Sequence, residues 1–248
     1  VVADMRRDVQ AVILILVGGA ILRISIGDTF LNYVKAGMRP WLLASGSILV
    51  LLGILALIDV IRAARNGESE PEPDPHDPVD DDGHAHAHGP RAAWLLLLPV
   101  VAIFFIAPPA LGAYAAARDT TNAVQPRQAQ APPLPAGDPV EITVSDYVGR
   151  AVWDDGRTLD GRTVQMTGFV TPNPAGGWWL TRLALSCCAA DAIASKIQVL
   201  DTPDLPENTW VTVTGTWTPG GGTKSDTAIP LVKVASIAQV AQPTNPYE

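Results

Sequence analysis

Charge, cysteine and histidine are all scarce in this 248-residue chain, and each scarcity removes a class of protein. Asp, Glu, Lys and Arg make up 17% of residues and the formal net charge is −8. A phosphate backbone would meet no basic surface, so nucleic acid is excluded as a partner. The 2 cysteines are adjacent, Cys187 and Cys188, and cannot staple a disulfide framework. No histidine lies outside residues 76–88, so the second half carries no imidazole for general-base work. No glycine loop fit to cradle phosphate is present, and Asp146, Asp154, Asp155 and Asp160 fall in turn-like contexts without pairing. The chain is not expected to be an enzyme. Its 21 Gly and 22 Pro are scattered or confined to linkers, which excludes collagen-like and wholly disordered chains.

What the sequence does have is long apolar blocks. One spans residues 9–22 and continues toward residue 34, one spans 40–61, and one spans 92–117. A bilayer core about 30 Å thick needs about 20 apolar residues per helix. Blocks two and three meet that directly, and block one does so if Arg23 snorkels to the headgroups. A cleavable signal peptide is the competing reading of block one, but no small-x-small site follows it. Three transmembrane helices are therefore expected, with the lipid bilayer as solvent. Arg6, Arg7, Arg62, Arg65 and Arg91 fall on one side, and Lys35, Arg39 and Arg118 on the other. The side richer in arginine should be cytoplasmic. The expected organisation is a transmembrane hairpin (1–61), a cytoplasmic loop (62–91), a third transmembrane helix (92–117), a linker (118–138) and an exported domain (139–248).

The loop combines proline, glycine and acidic residues with His76, His84, His86 and His88, so it should be disordered. Imidazoles beside carboxylates are ligands for zinc, copper or nickel, whereas a solvated low-complexity linker would need no such role. The exported domain reads as strands at 163–171, 177–186, 196–201, 209–218 and 229–241, with turn signals between them. Residues 144–153 are a weaker helical or irregular segment. Five short strands point to a small all-β barrel of the OB type, with an incomplete sandwich as the alternative. Alternation requires one of Trp178 and Trp179 to face outward. Cys187 and Cys188 follow the second strand with Asp191 close by. As thiolates they could ligate a soft metal. The alternative is one buried cysteine and one partly exposed thiol.

Several stretches belong together: Asn32-Tyr33-Val34, then Gly37 to Trp41, the histidine loop leading into Trp94 to Pro99, and Pro108 to Gly112. To these add Gly168-Phe169-Val170, the run from Arg182 through Cys187-Cys188-Ala189-Ala190-Asp191-Ala192, and Pro246-Tyr247. With these the chain resembles the YcgQ-type family of bacterial two-component permease subunits. The resemblance implies a polytopic, permease-like membrane partner and a link to zinc limitation, with Zn2+ the implied ion. Arg182, Cys187, Cys188 and Asp191 are the positions that match its signature. The expected function is that of a membrane accessory subunit linked to divalent metal handling. A membrane-anchored extracytoplasmic binding or sensing module is the alternative. A thiol-dependent envelope enzyme would need an activated Cys187 or Cys188, and no base is visible beside them.

Overall fold

A computed structural model describes residues 7–66, 108–122 and 131–248. The chain divides into two compact units, one containing Val1–Phe30 and Gly37–Pro108, the other Leu31–Ala36 and Pro109–Glu248. The histidine-bearing loop and the third apolar block up to residue 107 lie outside the described residues.

In the first unit, helices α1 (Arg7–Ile26) and α2 (Arg39–Asn66) form an antiparallel hairpin. Glycine sets their separation. A Cβ on Gly18 would meet the Gly46 carbonyl oxygen at 2.8 Å, and one on Gly53 would meet that of Ala11 at 2.9 Å. Backbones this close are what small residues permit when apolar helices pack without a water-driven force. Arg39 closes the C-terminus of α1. Its Nε donates to Ser25 O at 3.0 Å and its Nη2 to Ile26 O at 2.8 Å, satisfying carbonyls the helix leaves open. The outward side chains are apolar as well: Leu51 is 57% exposed, and Ile48, Leu52 and Leu55 are likewise turned out. Among the described residues, these two helices are long and apolar enough to cross a membrane.

Among the described residues, a third spanning helix does not emerge. The far end of the third apolar block is not helical through residue 117. Residues 108–112 are irregular and lead into a single turn, α3 (Ala113–Ala116). Ala113 and Ala116 are buried against Phe169, Leu183, Leu185, Ala194 and Tyr247 of the second unit. Small side chains that fit a protein surface, with Pro108 and Pro109 removing helix donors ahead of them, end the block early.

The second unit is a closed barrel. Strands β1 (Val140–Glu141), β2 (Thr163–Pro172), β3 (Trp178–Ala184), β4 (Ile193–Leu200), β5 (Trp210–Thr218) and β6 (Leu231–Gln239) run in the order β1-β2-β3-β4-β6-β5. Antiparallel pairing of β2 with β5 closes the ring. The five main strands lie where alternation of apolar and polar residues expected them, and their order is that of an OB-like Greek-key barrel. Gly215 sits at the bulge in the β5–β6 ladder, where a Cβ would lie 2.4 Å from the Lys233 carbonyl oxygen.

Val164, Met166, Leu180, Ile197, Val211, Val213 and Val232 fill the interior. Helix α4 (Val144–Trp153), a regular helix where an irregular segment was an alternative, adds Val144, Tyr147, Val148, Ala151 and Val152 to that core. Those positions recur at three and four residues, the spacing of one helix face. Thr143 Oγ1 accepts from Asp146 N at 3.0 Å, and the Glu248 carboxylate accepts from Val144 N at 2.8 Å and Ser145 N at 3.0 Å. Together they satisfy orphan donors of the first turn. Trp178 is buried and its Nε1 donates to Pro203 O at 3.1 Å, while Trp179 is half-buried on the other face.

The described ends of the expected linker are packed rather than free. The Asp119 carboxylate accepts from Ala194 N at 2.7 Å, and Asn122 Oδ1 accepts from Lys196 N at 2.5 Å, so this strap serves the edge of β4. Leu134 joins the barrel core, and Arg150 Nη1 donates to Pro132 O at 2.6 Å.

Candidate functional site

Between β3 and β4 the chain makes a tight loop through Ser186, Cys187 and Cys188 into a 3-10 turn, Ala189–Asp191. Asp191 organises it. One carboxylate oxygen accepts from Ser186 N at 2.9 Å, and the other from Cys187 N at 2.7 Å and, more loosely, from Cys188 N at 3.4 Å. Cys188 Sγ in return accepts the Asp191 N–H. The two thiols and the carboxylate lie within 4.8 Å of one another. Cys187 is exposed, Cys188 is half-buried, and neither is bridged.

Carboxylate and thiol oppose each other's ionisation partners in a simple way. The hydrogen bond to Asp191, followed by that to Cys188, pushes the Cys187 thiol up to about 11. The same bond from Cys187 holds the Asp191 carboxyl below its usual range. A carboxylate that accepts the S–H favours the neutral thiol. Cys187 is therefore a protonated thiol at neutral pH, which is the reverse of the activated state that a nucleophilic enzyme requires.

A second strand of chain borders this loop, and it comes from far away in sequence. Lys35 N donates to Cys187 O at 3.0 Å, and Ala189 N donates to Tyr33 O at 2.7 Å. Val34 thereby stands opposite Cys188 in an antiparallel bridge. The segment connecting α1 to α2 is thus part of the barrel unit. Tyr247 ties it further. Its hydroxyl donates to Asn32 O at 2.9 Å and accepts from Leu111 N at 2.8 Å. Burial raises the phenol's pKa, so it keeps the proton that the first of these bonds uses.

Arg182 is placed elsewhere. It is buried, lies 4.7 Å over the Trp210 ring, and donates through Nη2 to Asn245 O at 2.9 Å. Its Nε has no hydrogen-bond partner, and burial lowers its pKa against the opposing pull of Glu248. It braces the C-terminal tail against the barrel and does not join Cys187, Cys188 and Asp191. Of the other sequence-derived ligands, His76, His84, His86 and His88 lie outside the described residues. Sequence reasoning did not place Tyr33–Lys35 or the tail beside the cysteine loop. Asn32-Tyr33-Val34 and Pro246-Tyr247 stood out only as matching motifs.

Residues 128–248 match the DUF1980 C-terminal domain family. No curated protein and no solved structure matches the chain. The match covers α4 and the whole barrel, including the Cys187–Asp191 loop, and begins beyond Tyr33–Lys35.

Proposed function

We propose that the chain is an integral membrane accessory subunit of a two-component permease of the YcgQ type, holding its barrel outside the cytoplasm and handling a divalent metal. The observation that carries the membrane part is that Leu31–Ala36 belongs to the barrel unit. If α1 and α2 both cross the bilayer, α2 leaves from the side on which residues 31–36 lie. Residues 109–248 share that unit, so the chain between must cross back an odd number of times. The apolar block beginning at residue 92 has the composition suited to such a return, which supports reading the chain as a three-span protein. The arginine bias of residues 6–7, 62–65 and 91 favours the barrel side as extracytoplasmic.

The exposed leucines and isoleucines of α2 support the same reading. In water Ile48, Leu51, Leu52 and Leu55 would leave an exposed apolar patch, the kind of surface that marks a membrane or protein contact. In lipid they cost nothing and remain available to a partner's helices. The metal part rests on the donor chemistry of Cys187, Cys188 and Asp191 together with the histidine-bearing loop.

Detergent extraction followed by capture of the tagged chain tests the reading. Co-purification of a many-helix membrane protein in fixed ratio supports it. A chain that purifies alone from its native membrane would leave an anchored binding module instead. Membrane-impermeant maleimide on intact cells tests the side. Labelling of the native thiols before lysis is expected, and labelling only after lysis would overturn the topology.

A further inference from the structure

We propose that Cys187, Cys188 and Asp191 form an open, three-donor site for a borderline divalent cation of the zinc class, built on the backbone ladder to Tyr33 and Lys35. It rests on the metal-handling reading above for its purpose, and on the loop alone for its chemistry.

The donors are already gathered. Their ligand atoms lie within 4.8 Å of one another. Zinc binds sulfur at about 2.3 Å and carboxylate oxygen at about 2.0–2.2 Å, which places tetrahedral donors somewhat less than 4 Å apart. The loop need close by only about an ångström. Donor type then selects the ion. Two sulfurs disfavour calcium and magnesium, which take oxygen ligands, and one carboxylate oxygen disfavours copper(I), which suits purely soft sets. Zinc takes both kinds.

The loop is also fixed before anything binds. Ser186, Cys187 and Cys188 donate backbone N–H groups to Asp191, and the Tyr33 and Lys35 bonds hold the flanking peptides. Less ordering is then needed on binding than in a free dicysteine peptide. The exchange balances simply. The cation displaces the S–H protons of Cys187 and Cys188, two protons pass to solvent, and two metal–sulfur bonds form. Loss of the Cys187 proton frees the carboxylate oxygen that had accepted it, and that oxygen becomes the third donor. Three protein donors leave at least one position open, as in zinc sites that exchange a ligand and unlike closed structural sites. Exposure of Cys187 turns that open side to solvent.

The test uses the full chain, reduced and metal-stripped in detergent, with His76, His84, His86 and His88 changed to Ala so that only this site remains. Zn2+ is titrated against a chromophoric chelator. One ion per chain is expected. Cys187→Ser or Cys188→Ser should weaken binding at least about tenfold, and Lys35→Pro, which removes one ladder donor, should weaken it about tenfold, the low end of the range for groups supporting a metal site. Co2+ should give a thiolate charge-transfer band that Cys187→Ser diminishes. A chain that binds no Zn2+, or cysteine variants that bind as tightly as the parent, would overturn the site. Loss of the site with partner capture intact would leave the accessory-subunit reading standing, and zinc binding without a partner would do the reverse.

Discussion

The hairpin and the barrel place their apolar residues by opposite rules. In the barrel, Leu180, Ile197 and Val213 are wholly buried. In α2, residues of the same kind point outward, with Leu51 at 57% and Ile48 at 56% exposure. The barrel's strands are held by a filled interior. The helices are held by backbone contact at Gly18, Gly46 and Gly53, with little between them to bury. Tyr33–Lys35 is where the chain passes from one rule to the other.

Substitutions of matched type should separate the two. Leu180→Ala should lower barrel stability by about 2–5 kcal/mol, the cost of a core cavity, read as the thermal midpoint of the β signal in detergent. Leu51→Ala in α2 should change it by no more than about 0.5 kcal/mol. Equal losses would erase the distinction. Leu51→Asp should instead cost about 3–4 kcal/mol of membrane insertion, seen as protein lost from the membrane fraction, while the barrel's own melting stays put. A smaller effect belongs to the start of α4, where Thr143→Ala should cost about 1 kcal/mol of barrel stability through the lost cap on Asp146 N.

The mildest change is chemical rather than structural. With its thiol raised to about 11 by Asp191, Cys187 should alkylate slowly at pH 8 and faster as pH climbs toward that value. Asp191→Asn removes the largest cause of the raised pKa, so the rate at pH 8 should rise, with mass spectrometry assigning the modified residue. The sign for folding follows from both partners: the thiol–carboxylate bond contributes fully between the ordinary carboxyl and thiol ranges, and fades as pH rises through about 11 or falls through the lowered range of Asp191. A slower rate in the variant would show that the carboxylate activates the thiol.

Most of the barrel was legible because its cause is local. Alternating residues such as Val164, Met166 and Trp178, Leu180 announce strands with one face inward, whereas residues 144–153 read only as helical or irregular. The third apolar block was read as one helix through residue 117 because composition alone cannot tell lipid from a protein surface. Ala113 and Ala116 suit either, and only their contacts with Phe169 and Leu183 decide. At the site, the residue types of Cys187, Cys188 and Asp191 were visible. Their border was not: Val34 meets Cys188 across more than 150 residues through one bridge and two backbone bonds, which leave no periodic trace. Tyr247 and Glu248 act through two hydrogen bonds each, of the same long-range kind.

That meeting of Val34 and Cys188 admits a direct measurement. The two flanking bonds make it a non-hydrogen-bonded antiparallel pair, in which Cα atoms lie about 4.5 Å apart, within reach of a disulfide. A chain carrying Val34→Cys and Cys187→Ser should therefore cross-link to Cys188 on mild oxidation in native membranes. Cleavage between residues 36 and 187 would leave the two fragments joined until a reductant is added. Fragments that separate without reduction, while a matched chain labels fully at both thiols, would show that the inter-helix segment and the barrel do not share one unit.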